Sequence, residues 1–116
     1  MAEQRKNDTV LSACLSKAQE LGALIDYAQD SIVSKTILSK SVGTITLFAF
    51  DQGQSLSEHT SPYDAVVQVL DGTARLTIGG DDKTARAGQL IIMPANVPHS
   101  VNAEERFKML LTMIRA

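Results

Sequence analysis

The 116-residue chain has no tryptophan, and its few Tyr and Phe residues bring the aromatic content to only 4%. Base-stacking platforms for single-stranded nucleic acid are therefore not expected. Its basic residues are scattered from Arg5 to Arg115, and the formal net charge is −2. Phosphate binding needs a concentrated positive face, so nucleic acid is excluded as the main partner. The single cysteine, Cys14, cannot close an intrachain disulfide. The fold is thus not expected to depend on an oxidising compartment, and Cys14 reads as a small apolar packing residue. No apolar run approaches the roughly 18 residues of a membrane span. The opening segment, with Glu3, Arg5, Lys6 and Asp8, lacks the apolar centre of a signal peptide. No membrane contact is expected, and the cytoplasm is the expected location.

What is present describes one folded domain. Hydrophobic residues make up 44% and charged residues 21%, average values for a globular protein and far from those of disorder. Residues 1–30 read as a polar tail followed by a short helix, and 31–116 as a β-barrel domain. After residue 9, Leu11, Leu15, Ala18, Leu21, Leu24 and Ile25 recur at helical spacing, with Ser16 and Gln19 in a capping-box relation. This pattern predicts one short amphipathic helix whose apolar stripe packs on the rest of the fold.

From residue 31 the period changes to short strands divided by turns. Residues 31–38 carry Ile32, Val33, Thr36 and Ile37, and 44–50 are apolar on both faces, as a sheet covered on both sides requires. Further strands are expected over 65–70, 73–78, 83–87, 89–93, 99–103 and 107–114. Asp71-Gly72 reads as a tight turn between two of them, and 83–87 as a polar edge. About eight strands with frequent turns describe a closed barrel or jelly roll, an all-β fold.

Two stretches carry a more specific signal. Gly53 is followed after five residues by His59, and Gly72 closes that stretch; Gly88 is followed after five residues by Pro94, and His99 follows Pro94 by five positions. These spacings resemble the paired motifs of the cupin superfamily, and the likeness covers roughly residues 43–114. It implies a cupin-type double-stranded β-helix, or jelly-roll barrel.

The departures from the family pattern bear on function. Cupin metals are usually held by two histidines and a glutamate of the first motif and a histidine of the second. Here Ser61 stands at the second histidine position and Ala65 at the glutamate position, with Asp64 beside it; Asn96 replaces a motif glycine, and Asn102 falls one residue early. His59 and His99 remain as the candidate metal ligands. Two imidazoles are expected to hold a divalent transition metal such as Zn, Fe, Ni or Mn only weakly, since tight sites supply three or four donors. Asp64 would complete a two-histidine, one-carboxylate set, but strand alternation turns it away if Ala65 faces inward.

Ser61, Asp64, Gln68 and Met93 are the candidate pocket residues. Gln68 lies in an otherwise apolar strand, and Met93, Met109 and Met113 share their strands' odd parity with His99. Such methionines ordinarily fill a core, though thioethers also suit a pocket for a small apolar molecule. Two functions follow from the resemblance. One is a barrel that binds a small molecule at a degenerate metal site. The alternative is a metal-dependent dioxygenase, isomerase or decarboxylase acting on a small organic substrate. A homodimer is expected, with 31–38 as the strand for exchange.

Overall fold

In a computed structural model that describes residues 8–115, the described chain forms nine strands and two single 3₁₀ turns. The strands are β1 (Thr9–Val10), β2 (Ile32–Lys40), β3 (Gly43–Phe50), β4 (Ser55–His59), β5 (Asp64–Ile78), β6 (Asp81–Arg86), β7 (Leu90–Met93), β8 (His99–Asn102) and β9 (Phe107–Ile114). Every pairing is antiparallel, and the main path runs β1-β2-β3-β9-β5-β8-β4, with β6 and β7 also paired to β5. No helix among these residues is long and apolar enough to cross a membrane.

The path curls because β5 serves two sheets. Its first half pairs with β9 and β7, and its second half with β6 and β8. The expected reversal at Asp71-Gly72 is not there. The register with β9 slips between Val69 and Asp71 instead, and the strand bends through a bulge without reversing. Gly72 takes a φ of 70° at this bend. Left-handed backbone suits a bulge as well as a hairpin turn, which is why the dipeptide misleads. One continuous strand thus replaces the two expected over 65–70 and 73–78.

Alternation along each strand builds the interior. Ala65, Val67, Val69, Ala74 and Leu76 of β5 join Phe50, Ala85, Met93, Val101, Phe107 and Met109 in one buried cluster. Phe50 and Phe107 are direct partners across β3 and β9, fully buried and stacked with centroids 4.5 Å apart. Burying a ring of this size contributes about 1.5–3 kcal/mol, and the stacking adds about 1 kcal/mol.

The opposite face of β3 is covered by the N-terminal segment. Leu47 and Ala49 are buried there with Ile25, flanked by Leu24, Tyr27, Val33, Ile37 and Leu110. The expected helix is not the device that covers them. Only Ser12–Cys14 and Leu21–Ala23 turn, as 3₁₀ segments, and Ser16 sits at a φ of 58° where a helix would have begun. An extended strap places Leu24, Ile25 and Tyr27 on the sheet and lets Leu11 donate to the Ile37 carbonyl. Tertiary contact overrides a weak local preference that Ser12, Ser16 and Gly22 do not reinforce. Most of the polar tail expected before residue 10 lies outside the described residues.

Further bonds fasten the strap, among them one from Lys35 Nζ to the Leu24 carbonyl at 3.0 Å. Lys108 Nζ donates to the Gly22 carbonyl at 2.6 Å, and the Tyr27 hydroxyl donates to Asp71 at 2.6 Å. The Arg106 guanidinium and Lys108 ammonium each lie 5.0 Å from the Tyr27 ring centre. Arg106 in turn donates to Asp51 at 2.7 Å, and the other Asp51 oxygen accepts the Asp30 amide. Burial, then the bond to Asp71, push the Tyr27 phenol above its ordinary range, while Arg106 holds the Asp51 carboxyl below its own.

Candidate functional site

His59 ends β4 and His99 begins β8, and the two are register partners. Plain alternation from Leu56, which packs on the core, would turn His59 to the opposite face. The ladder slips between Leu56 and His59, inserting one residue on the β4 side and returning His59 to the side of its partner. Glu58, within the slip, is exposed. His99 is 3% exposed and His59 lies open at the rim, so the pair spans the boundary between core and solvent.

The rings meet edge to face, with centroids 4.3 Å apart and an interplanar angle of 73°. Nε2 of one lies 3.1 Å from Nε2 of the other. His59 Nδ1 is 2.8 Å from the Ser57 carbonyl, and His99 Nδ1 is 3.0 Å from the Val97 carbonyl. A carbonyl oxygen only accepts, so each Nδ1 carries the hydrogen. With hydrogens on both Nδ1 atoms the two Nε2 atoms face each other at hydrogen-bond distance, so a shared proton or another electron-pair acceptor can sit between them. Carbonyl-anchored imidazoles of this kind are how proteins present metal ligands.

Two loops hold the pair in place. Residues 60–63 join β4 to β5, and 94–98 join β7 to β8, so each crosses from one sheet to the other at the histidine end. They are bonded to each other: the Asn96 amide donates to the Ser61 carbonyl at 2.7 Å, and the Ala95 amide to Asp64 Oδ1 at 2.8 Å. Asn96 has a φ of 65°, the left-handed conformation that its motif's usual glycine supplies and that Asn tolerates best among larger residues.

The other expected site residues are placed as follows. Ser61 Oγ accepts the Tyr63 amide, making that side chain part of the loop. Asp64 is exposed and its carboxylate is engaged by the Ala95 amide, while Ala65 beside it is buried. The structure therefore does not bring Asp64 to the imidazoles. Gln68 is turned outward by the alternation that buries Val67 and Val69. Met93 is buried on the inner wall, directly opposite Ala65.

The bulge that aims His59 carries no signature in the sequence of β4, SLSEH. Among the described residues no group of three or more His, Cys, Asp or Glu side chains converges. The donors present do not reproduce the four-ligand set that the family's motifs would supply.

A curled antiparallel barrel with paired motifs meeting at one end defines a cupin architecture, and comparison with known proteins agrees. The model of the cupin domain family matches residues 46–114, and the chain belongs to that family. It is similar to a conserved protein of unknown function from Streptococcus pyogenes, at 37% identity over 87% of this chain and 89% of that one, with a TM-score of 0.83. A cupin 2 conserved barrel domain protein from Leptotrichia buccalis is 38% identical, over 81% of this chain and 46% of that one, with a TM-score of 0.79. A cupin superfamily protein from Desulfitobacterium hafniense is 25% identical, over 87% and 93% of the two chains, with a TM-score of 0.82. No curated protein matches the sequence.

Proposed function

We propose that this chain is a small-molecule-binding cupin whose two imidazoles hold divalent transition metals only weakly, with the ligand seated against the inner wall beside them. The observation that carries this reading is the pair itself: two Nε2 atoms 3.1 Å apart, each ring oriented by a backbone carbonyl, with no third His, Cys, Asp or Glu joining them among the described residues. Ala65 supports it further. A methyl group stands where the family pattern has a long carboxylate, so the inner wall between Met93 and Met113 is apolar, a lining suited to an organic group. The enzyme reading has Asp64 or water completing the metal's sphere, and the engagement of the Asp64 carboxylate by the Ala95 amide leaves that part to water.

Elemental analysis of protein purified without an affinity tag tests the proposal. The expected result is far less than one Zn, Fe, Ni or Mn per chain. Near-stoichiometric metal that disappears in a His59→Ala, His99→Ala double variant would refute it. A cytoplasmic homodimer completes the proposal. Among the described residues β1 and Leu11 cover the Ile37–Ser39 end of the outer edge of β2, and we assign the remainder of that edge to the second copy. Light scattering that reads the mass of one chain at micromolar concentration would remove the dimer.

A further inference from the structure

Two soft donors stand on the inner wall at the same end of the barrel as the imidazoles. Ala65 is the direct partner of Met93 on β7 and of Met113 on β9. Direct partners share a face with Cβ atoms about 4.5–5.5 Å apart, so the two methionines flank one methyl group. Ala65 and Met93 are buried, and Met113 packs half-buried against the same core. The corresponding row in the other sheet is Ile78, His99 and His59. The loops 60–63 and 94–98 tie the rows together at one end, since one runs from His59 toward Ala65 and the other from Met93 to His99.

From this juxtaposition we infer that the site discriminates among metals and takes cuprous ion, with Nε2 of His59 and His99 and the thioether sulfurs of Met93 and Met113 as its donors. The inference rests on the imidazole-pair reading above and names the ion that the pair prefers. An ion bonded at about 2.05 Å to two nitrogens 3.1 Å apart subtends an angle of about 98° between them. That angle is bent, so the pair occupies one side of the ion and further donors are needed. Zn, Fe and Mn draw little from a thioether, whereas soft Cu(I) accepts imidazole and thioether together. Unbranched methionine side chains have the torsional freedom to swing a sulfur toward an ion, and the small Ala65 between them leaves the path open. Met109, the other methionine on β9, lies four residues deeper along the strand, beside Phe48 and Val69.

The test is an anaerobic titration of untagged protein with Cu(I), buffered by a chromophoric chelator, beside a parallel titration with Zn(II). The wild type should take up one Cu(I) per chain, and its X-ray absorption spectrum should contain Cu–S scattering. Met93→Leu, Met113→Leu conserves volume. It should weaken Cu(I) by at least the about tenfold that losing even a supporting contact costs a metal site, and leave the weak Zn(II) binding unchanged. Equal Cu(I) affinity in that variant, or a wild-type spectrum with only nitrogen and oxygen neighbours, overturns thioether ligation and leaves the imidazole pair standing. Wild-type Cu(I) binding in the His59→Ala, His99→Ala variant overturns both. The wild-type spectrum decides the question even if the methionine variant fails to fold.

Discussion

The two glycines that bracket the first motif offer a matched comparison of backbone conformation with close approach. Gly53 has a φ of 88° and Gly72 a φ of 70°, so alanine at either position meets the same left-handed penalty. That penalty is about 1–2 kcal/mol, offset by roughly 0.4–1 kcal/mol because alanine also restricts the unfolded chain. Their surroundings differ. A Cβ on Gly53 would meet nothing within 4 Å, whereas one on Gly72 would overlap the Arg106 carbonyl oxygen and lie 3.0 Å from the Phe107 Cα. These are backbone atoms at the entry to β9, and Phe107 is the ring stacked on Phe50 in the core. Making room means pushing β9 off β5 at the point where Phe107 is anchored, an overpacking cost of about 1–3 kcal/mol beyond the conformational one. Gly53→Ala should therefore cost about 1 kcal/mol and Gly72→Ala about 3 kcal/mol. With a urea m-value of roughly 1–2 kcal/mol/M, the second midpoint falls lower than the first by about 1–2 M. Equal shifts in the two variants would refute the claim that contact with β9, and not φ alone, requires glycine at 72.

Other perturbations follow from the strap. Asp51 has its pKa lowered from 3.8, chiefly by Arg106, so its stabilisation is complete above that pH and is lost as pH falls below it; Asp51→Asn should flatten the acid limb of a stability profile. Tyr27 has its pKa raised from 10.0, so its stabilisation is complete below that pH and is lost as pH rises beyond it; Tyr27→Phe should remove the alkaline slope, and an unchanged slope would rule Tyr27 out. Lys108→Met should cost about 1 kcal/mol and speed hydrogen exchange over residues 20–28, because the bond to Gly22 and the charge over Tyr27 are both lost. Exchange there at the wild-type rate would show that the strap holds without Lys108, through the apolar contacts of Leu24 and Ile25 and the bonds at Leu24 and Tyr27.

Much of the barrel could be read from period and punctuation. The strand over 44–50 was legible because β-branched and aromatic residues alternate along it after Gly43, and the two histidines because their spacings from Gly53, Gly88 and Pro94 match the motifs. Elsewhere one residue chemistry serves two structures. Apolar residues at helical spacing over 11–25 serve equally well to lay a strap on a sheet, since Leu24, Ile25 and Tyr27 need only one common face. Asp71-Gly72 supplies a left-handed bend whether the chain reverses or merely kinks. The fate of Gln68 and Asp64 depended on which face of β5 was inner, and Val67 with Val69 decided it. The slip that aims His59 leaves no mark on composition, because it resides in how β4 pairs with β8.

The position of β9 has a consequence for how the protein comes into being. It lies between β3 and β5, with Gly43 partnered to Ile114 and Gly72 to Phe107. Residues 107–114 must therefore leave the ribosome before the middle of the larger sheet can assemble, and until then the apolar flanks of β3 and β5 stand open. Such long-range closure is slow compared with local folding. During synthesis the nascent barrel is an unsealed sheet, and shielding of those two flanks is what it most needs from its surroundings.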